Sequence, residues 1–184
     1  MIQLLDLQKT FLQQHIKPGG IAADFTMGNG HDTLYLANAV GEEGHVFAFD
    51  IQDQAIANTR RRLEENGVAQ RVTLIHDSHE FASRYISEPI CAGVFNLGWL
   101  PGSADKTVTT RWRSTQIAVQ TAVELLAPDG ILLIAVYPGH DEGKHEGEQL
   151  EQMLSAFSRF VYCVSTVKII NSPTSPYFIM VERK

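Results

Sequence analysis

One stretch constrains this chain more than any other: Asp24-Phe25-Thr26-Met27-Gly28-Asn29-Gly30-His31-Asp32-Thr33. It follows the apolar run Ile21-Ala22-Ala23 and precedes the helical pattern Leu34-Tyr35-Leu36-Ala37. The order is therefore strand, glycine turn, helix. Gly28 and Gly30 admit positive φ and carry no Cβ, so a ligand can lie close against the backbone. The helix that follows points its free N–H groups at the same place. A nucleotide-like ligand suits such a turn.

The residues around the glycines narrow the ligand. A dinucleotide fingerprint reads G-x-G-x-x-G, but Thr33 stands at the third glycine position. Asp24 lies four residues before Gly28, where a pyrophosphate would meet a carboxylate. The pattern D-x-x-x-G-x-G resembles the signature of class I methyltransferases, which bind S-adenosylmethionine (SAM). The ammonium and sulfonium of that ligand suit an acid beside the turn. This reading assigns Asp24, Thr26, Gly28, Asn29, Gly30, His31, Asp32 and Thr33 to the cofactor. An NAD-type site and a ligand-free glycine turn are the competing readings.

The rest of the chain fits an α/β sheet built around that turn. A leading helix over residues 3–16, within a 1–17 leader, is expected to roof the first strand. The strands are expected at 21–25, 45–50, 72–76, 90–96, 131–137, 161–169 and 177–182, most of them separated by helices. The last two form a hairpin, so the final strand runs antiparallel. With 184 residues, 44% of them hydrophobic, the chain reads as one domain, 1–184. No apolar run approaches the roughly 20 residues of a membrane span. The N-terminus lacks a basic n-region, and Cys91 and Cys163 sit in apolar runs. Buried, reduced thiols and a cytoplasmic location follow. A net charge of −6 argues against broad contact with a phosphate backbone.

Three further segments carry chemistry. Asp50 closes the second strand, twenty residues after Gly30, where a carboxylate accepts both ribose hydroxyls of an adenosine. Gln52 lies beside it, and Asp53 is better placed to cap the next helix, which carries Arg60-Arg61-Arg62 on a solvated face. Asp77-Ser78-His79 follows the third strand, at the place of the adenine amino group. The dozen residues from Asn96 to Thr107 leave the central strand without any periodicity, and a loop of that length is usually functional. Asn96 stands where amino-group methyltransferases place an Asn/Asp-Pro-Pro-aromatic element, although Leu97-Gly98-Trp99 replaces the last three. Gly98, Trp99, Leu100 and Pro101 are candidate substrate contacts. Lys106, Arg111, Trp112 and Arg113 offer charge and an aromatic for stacking on a base, or a surface with Trp112 in the core. Pro138 to Glu146 reads as a polar exit loop rather than a metal site.

Three motifs in order resemble one small bacterial family. They are D-x-T-x-G-N-G-H-D-T-x-x-L-A (Asp24 to Ala37), N-L-G-[aromatic]-L-P-G (Asn96 to Gly102) with Asp105-Lys106 following, and Y-P-G-H-x-x-G-x-x-E (Tyr137 to Glu146). This family was long labelled "putative rRNA methylase" and is now associated with the MnmM (YtqB-like) tRNA methyltransferases. The resemblance implies a Rossmann-like class I methyltransferase fold of seven mostly parallel strands with an antiparallel last strand. It implies SAM as cofactor and N-methylation of 5-aminomethyl-(2-thio)uridine at the wobble position of the tRNA anticodon. On that reading Asn96 orients the amine, Asp105 and His140 are candidates for its base, and Tyr137 and Gly139 contact the substrate. It also makes a homodimer a natural way to extend an RNA surface. Ser103-Ala104 departs from an expected Gly-Gly-Asp pattern by one residue before Asp105. The runner-up is a SAM enzyme acting on rRNA or a small-molecule amine. The outsider is an NAD-binding oxidoreductase or a non-catalytic nucleotide-binding module.

Overall fold

The computed structural model describes residues 4–99, 109–139 and 141–184. Its elements are α1 (Leu4–His15), β1 (Ile21–Asp24), α2 (His31–Val40), β2 (His45–Asp50), α3 (Asp53–Glu65), β3 (Val72–His76), β4 (Ile90–Asn96), α4 (Trp112–Leu125), β5 (Leu126–Val136), α5 (Asp141–Ser155), β6 (Tyr162–Val167) and β7 (Tyr177–Arg183). Short 3₁₀ turns at Ala69–Arg71 and His79–Arg84 flank β3.

The strands form one sheet in the order β3-β2-β1-β4-β5-β7-β6. Pairs from β3 through β5 are parallel, while β7 runs antiparallel to both β5 and β6. The chain lays β2 and β3 to one side of β1, then crosses to lay β4 on the other. That reversal opens a crevice at the carboxyl ends of β1 and β4, the usual ligand position in open α/β sheets.

Strand periodicity sorts the core into two layers. Along β5, Leu132, Ile134 and Val136 face α4 and α5, while Ile131 and Leu133 face the layer of α1, α2 and α3. Strand β7 repeats this, with Ile179 and Val181 on the first face and Phe178 and Met180 on the second. Fully buried runs on both faces explain why β4 and β5 are apolar without alternation.

Several expectations shift. Helix α1 lies across β4, β5 and β7 rather than over β1, because α2 already covers β1. Its Phe11 meets Phe178 edge-to-face at 5.9 Å. Helix α4 ends at Leu125 and β5 begins at Leu126, five residues before the expected 131, with Pro128-Asp129-Gly130 inside it as an irregularity opposite Ile90–Ala92. Asp129 there has φ 60°. The polar run from Asp141 is not a loop but the first turn of α5, with Asp141 and Glu142 where acids favour a helix start. Cys163 is exposed on the edge strand β6, and only Cys91 is partly covered.

Candidate active site

The glycine turn is shaped by its neighbours on both sides. Phe25 N–H bonds Val94 O and Met27 N–H bonds Phe49 O, each at 2.9 Å, so the chain leaving β1 stays held between β4 and β2. Gly28 has φ 50° and Gly30 φ 77°. A Cβ on Gly30 would stand 2.8 Å from Thr59 Oγ1 and 2.9 Å from its Cα, so α3 presses directly on the turn. From α3, Thr59 donates to Gly28 O (3.0 Å) and Arg62 Nε–H donates to Asn29 O (2.7 Å). Arg60 and Arg61 are exposed as expected, but Arg62 is half-buried and braces the turn.

Asp24 does not reach the ligand space. Its side chain is fully buried beneath the turn. Thr33 Oγ1–H donates to its Oδ2 (2.6 Å) and Thr26 N–H to its Oδ1 (3.2 Å). Burial first, then the nearby Asp32 charge, push its pKa up to about 7 against the pull of those two donors. The acid expected beside the cofactor is thus an internal brace. Asp32, in the first turn of α2, takes the place on the wall.

A cavity of about 560 Å³ opens at the ends of β1, β2 and β4, within the usual size for a small-molecule site. Thr26, Gly28, Asn29, His31, Asp32, Asp50, Gln52, Asp77, Ser78, His79, Asn96, Gly98, Trp99 and Tyr137 all line it. Gly30 and Thr33 are buried behind the wall, and Arg111, Trp112 and Gly139 lie off it. Trp112 packs against the core. Leu100, Pro101, Asp105, Lys106 and His140 lie outside the described residues.

Three carboxylates and no lysine or arginine line this cavity among the described residues. Asp50 is fixed by two backbone donors, Gly28 N–H and Gln52 N–H, each at 3.0 Å, and burial raises its pKa. It serves the turn rather than capping α3. Nor does Asp53 cap that helix: it is the first helical residue, has an almost fully exposed side chain, and lies 3.6 Å from His76. Asp77 accepts from Ser78 N–H (2.8 Å) and Tyr85 OH (2.7 Å). His79 Nδ1 lies 3.1 Å from Phe25 O, so Nδ1 carries the proton and Nε2 presents a lone pair. That Nε2 is buried without a partner, and burial lowers the imidazole pKa.

Asn96 joins the two sides of the cavity. Its N–H donates to Thr26 Oγ1 (2.6 Å), its Nδ2–H to Asp32 Oδ2 (2.7 Å), and its Oδ1 accepts from Tyr137 OH (3.4 Å). The Asp32 contact fixes which end of the amide faces which way, because a carboxylate oxygen accepts only from the NH₂ end.

Sequence reasoning missed part of the wall. Ile51 is 55% exposed directly after Asp50 and offers an apolar face to the cavity. Its only signal was an apolar residue following a strand-end acid. Phe25, Met27, Phe49, Leu97, Thr109, Thr110 and Ser114 also line the cavity, by virtue of pairings that sequence spacing does not display.

A family model described as "Putative rRNA methylase" matches residues 46–183. A Clostridium thermocellum protein solved as a "putative rRNA-methylase" is 37% identical, covers 100% of this chain and 99% of its own, and superimposes with a TM-score of 0.96. A Streptococcus mutans "putative methyltransferase" in complex with SAH is 32% identical, with coverage of 100% and 99% and a TM-score of 0.90. An Arabidopsis thaliana protein named "tRNA (mnm(5)s(2)U34)-methyltransferase, chloroplastic" is 30% identical over 94% of this chain. The match spans 66% of that relative's length, just under two thirds.

Proposed function

The chain belongs to the family described as "Putative rRNA methylase", and from that membership we propose that it is a SAM-dependent tRNA methyltransferase. Its substrate on this reading is the amine of 5-aminomethyl-(2-thio)uridine at the wobble position, converted to the 5-methylaminomethyl form. The fold is that of the class I methyltransferases. The observation that carries the reading is the 2.7 Å contact between Asn96 and Asp32. It sets an amine-orienting amide against the cofactor side of one cavity. The substrate class is supported by the plant relative's name.

The residues present suit SAM. The carboxylate wall, without lysine or arginine among the described residues, favours a ligand with positive charge and disfavours a pyrophosphate. Asp50 would hold the ribose hydroxyls, and Ile51 would lie against the adenine. Asp77 and Ser78 would meet the adenine amino group, with His79 behind them. Asp32 and the Gly28–Asn29 backbone would take the methionine part, with Gly30 and Thr33 shaping the turn behind them. When bound, SAM supplies an electrophilic methyl group on a sulfonium.

The chain's own task is to present the acceptor. An aliphatic amine resembling lysine has a pKa near ~10.4 in water, and a desolvated cavity lowers it toward the reactive neutral form. Asn96 Oδ1 would accept an N–H of that amine and turn its lone pair toward the methyl group. Holding two reactants in line contributes up to roughly 7–11 kcal/mol of barrier reduction. Asp105 and His140 are the candidates to take the proton. Arg111 and Arg113, both exposed at the start of α4, would with Lys106 contact the anticodon strand. An extruded base needs fewer phosphate contacts than a duplex does, which suits an acidic chain.

Nucleoside mass spectrometry of tRNA incubated with enzyme and SAM tests the assignment. Conversion of 5-aminomethyl-2-thiouridine to its methylated form is expected. An unchanged pool in substrate-rich tRNA removes the tRNA assignment. NAD binding without SAM binding, by calorimetry, removes the methyltransferase reading altogether.

A further inference from the structure

Glu146 is 4% exposed, on α5, and does not line the cavity. A buried carboxylate is costly unless it is well hydrogen-bonded. Here Thr110 Oγ1–H donates to its Oε2 (2.8 Å) and Thr115 Oγ1–H to its Oε1 (2.5 Å). Thr115 belongs to the first turn of α4. Thr110 ends the segment that began at Gly98, and the two ends are tied together. Gly98 N–H donates to Thr110 Oγ1 (3.0 Å), Thr110 N–H donates to Gly98 O (3.3 Å), and Trp99 pairs with Thr109. A relay therefore runs from Gly98 through the Thr110 hydroxyl to Glu146.

The anchor itself is firmly seated. A Cβ on the adjacent Gly147 would stand 2.4 Å from the Tyr177 hydroxyl and 2.8 Å from Val136 Cγ1. Helix α5 is thus pressed onto β5 and β7, and Glu146 has little freedom to follow the loop. Gly98, Trp99, Thr109 and Thr110 form the wall of the cavity facing the glycine turn. One buried carboxylate behind that wall fixes both of its chain ends and the start of α4.

We propose that Glu146 is the positioning residue of the acceptor wall, setting the place of the methyl acceptor while leaving cofactor binding untouched. The role as an acceptor wall rests on the methyltransferase reading above. Glu146→Gln preserves volume but gives Thr110 or Thr115 an NH₂ group where each needs an acceptor. Calorimetry with SAM, steady-state kinetics on tRNA, and hydrogen exchange of peptides covering Gly98 test it together. The expected result is SAM affinity unchanged, kcat/KM on tRNA lower by about 10- to 100-fold, the scale on which small misplacements act, and faster exchange at Gly98. Glu146→Asp should recover part of the rate. Unchanged kcat/KM, or SAM affinity falling in step with the rate, overturns the proposal. Should E146Q fail to fold, Thr110→Val removes only the loop-side hydroxyl and decides by the same readouts. If the wild-type protein leaves tRNA unmethylated, the functional reading falls on its own, and Gly98 exchange alone decides whether Glu146 holds the wall.

Discussion

The two halves of the cavity are built on opposite plans. The glycine-turn half is built around backbone groups: Gly28 N–H and Gln52 N–H both donate to the Asp50 carboxylate, and Thr59 and Arg62 of α3 donate to the carbonyls of Gly28 and Asn29. The facing half, where Asn96–Trp99, Thr109, Thr110 and Tyr137 line the cavity, is held by side chains far apart in the chain. Asn96 pairs with Asp32 across 64 positions, and Thr110 with Glu146 across 36. A backbone-built half resists change and suits a ligand common to many enzymes. A half hung on side-chain contacts can be rebuilt for a different acceptor without disturbing the first.

The largest test of that division is Asn96→Ala. It removes the amide proposed to orient the acceptor while leaving the turn and Asp50 in place. Loss of one preorganised donor or acceptor at a reacting group typically costs about 10²–10³ in rate. The rate on tRNA is expected to fall by that much, while calorimetry shows SAM affinity within about threefold, under ~1 kcal/mol. A parallel loss of both would mean that the halves are one unit.

Asp24 tests the first half from beneath. Its folded pKa, raised to about 7, lies above the ordinary 3.8, so the folded state binds the proton more tightly than the unfolded chain does. Stability from this group is therefore greatest below pH 4 and is lost as pH rises through 7, by about 4 kcal/mol for the shift from 3.8 to about 7 at ~1.4 kcal/mol per unit. Asp24→Asn does not titrate. Urea unfolding between pH 4 and 8 should show the wild type losing that much more stability than the variant. Parallel curves would place Asp24 in a solvated setting and contradict its burial.

The same substitution made in each half sharpens the contrast. Gly30→Ala meets Thr59 backbone within 2.9 Å and sits at φ 77°. Strain and overlap together should cost about 2–3 kcal/mol. Gly98→Ala, at φ 140°, meets nothing within 4 Å. It carries backbone strain alone, about 1 kcal/mol. Thermal unfolding should rank them in that order, with SAM affinity lost only in Gly30→Ala.

This contrast also governs what could be read from the sequence. The places of the strands along the chain and the antiparallel last strand follow from periodicity, and many of the residues that line the glycine-turn side of the cavity stand out as glycines and acids at fixed spacing. Spacing sets Asp24 beside the turn but does not give its side-chain direction, which the structure points beneath the turn and away from the cavity. Arg62 was read as solvated because a charge run does not reveal that α3 lies against Asn29. Glu146 was visible as the end of a motif, yet its buried contacts with Thr110 and Thr115 exist only after α4 and α5 pack together.

Ile51 offers the finest test of the first half. It is 55% exposed beside Asp50, so truncation to alanine removes little buried area and should leave folding stability within the usual ±0.5 kcal/mol of surface changes. Against an adenine the same side chain would lose contact with water. At about 25 cal/mol per Å² of apolar area, covering the outer part of an isoleucine contributes roughly 1 kcal/mol. SAM affinity of Ile51→Ala should fall about fivefold, the equivalent of that ~1 kcal/mol, with kcat on tRNA unchanged at saturating SAM. The acceptor wall does not touch this position, so a change in KM for tRNA would mean that the adenine face and the acceptor wall move together. Unaltered SAM affinity would place the adenine elsewhere in the cavity and leave Asp50 as the sole anchor at the end of β2.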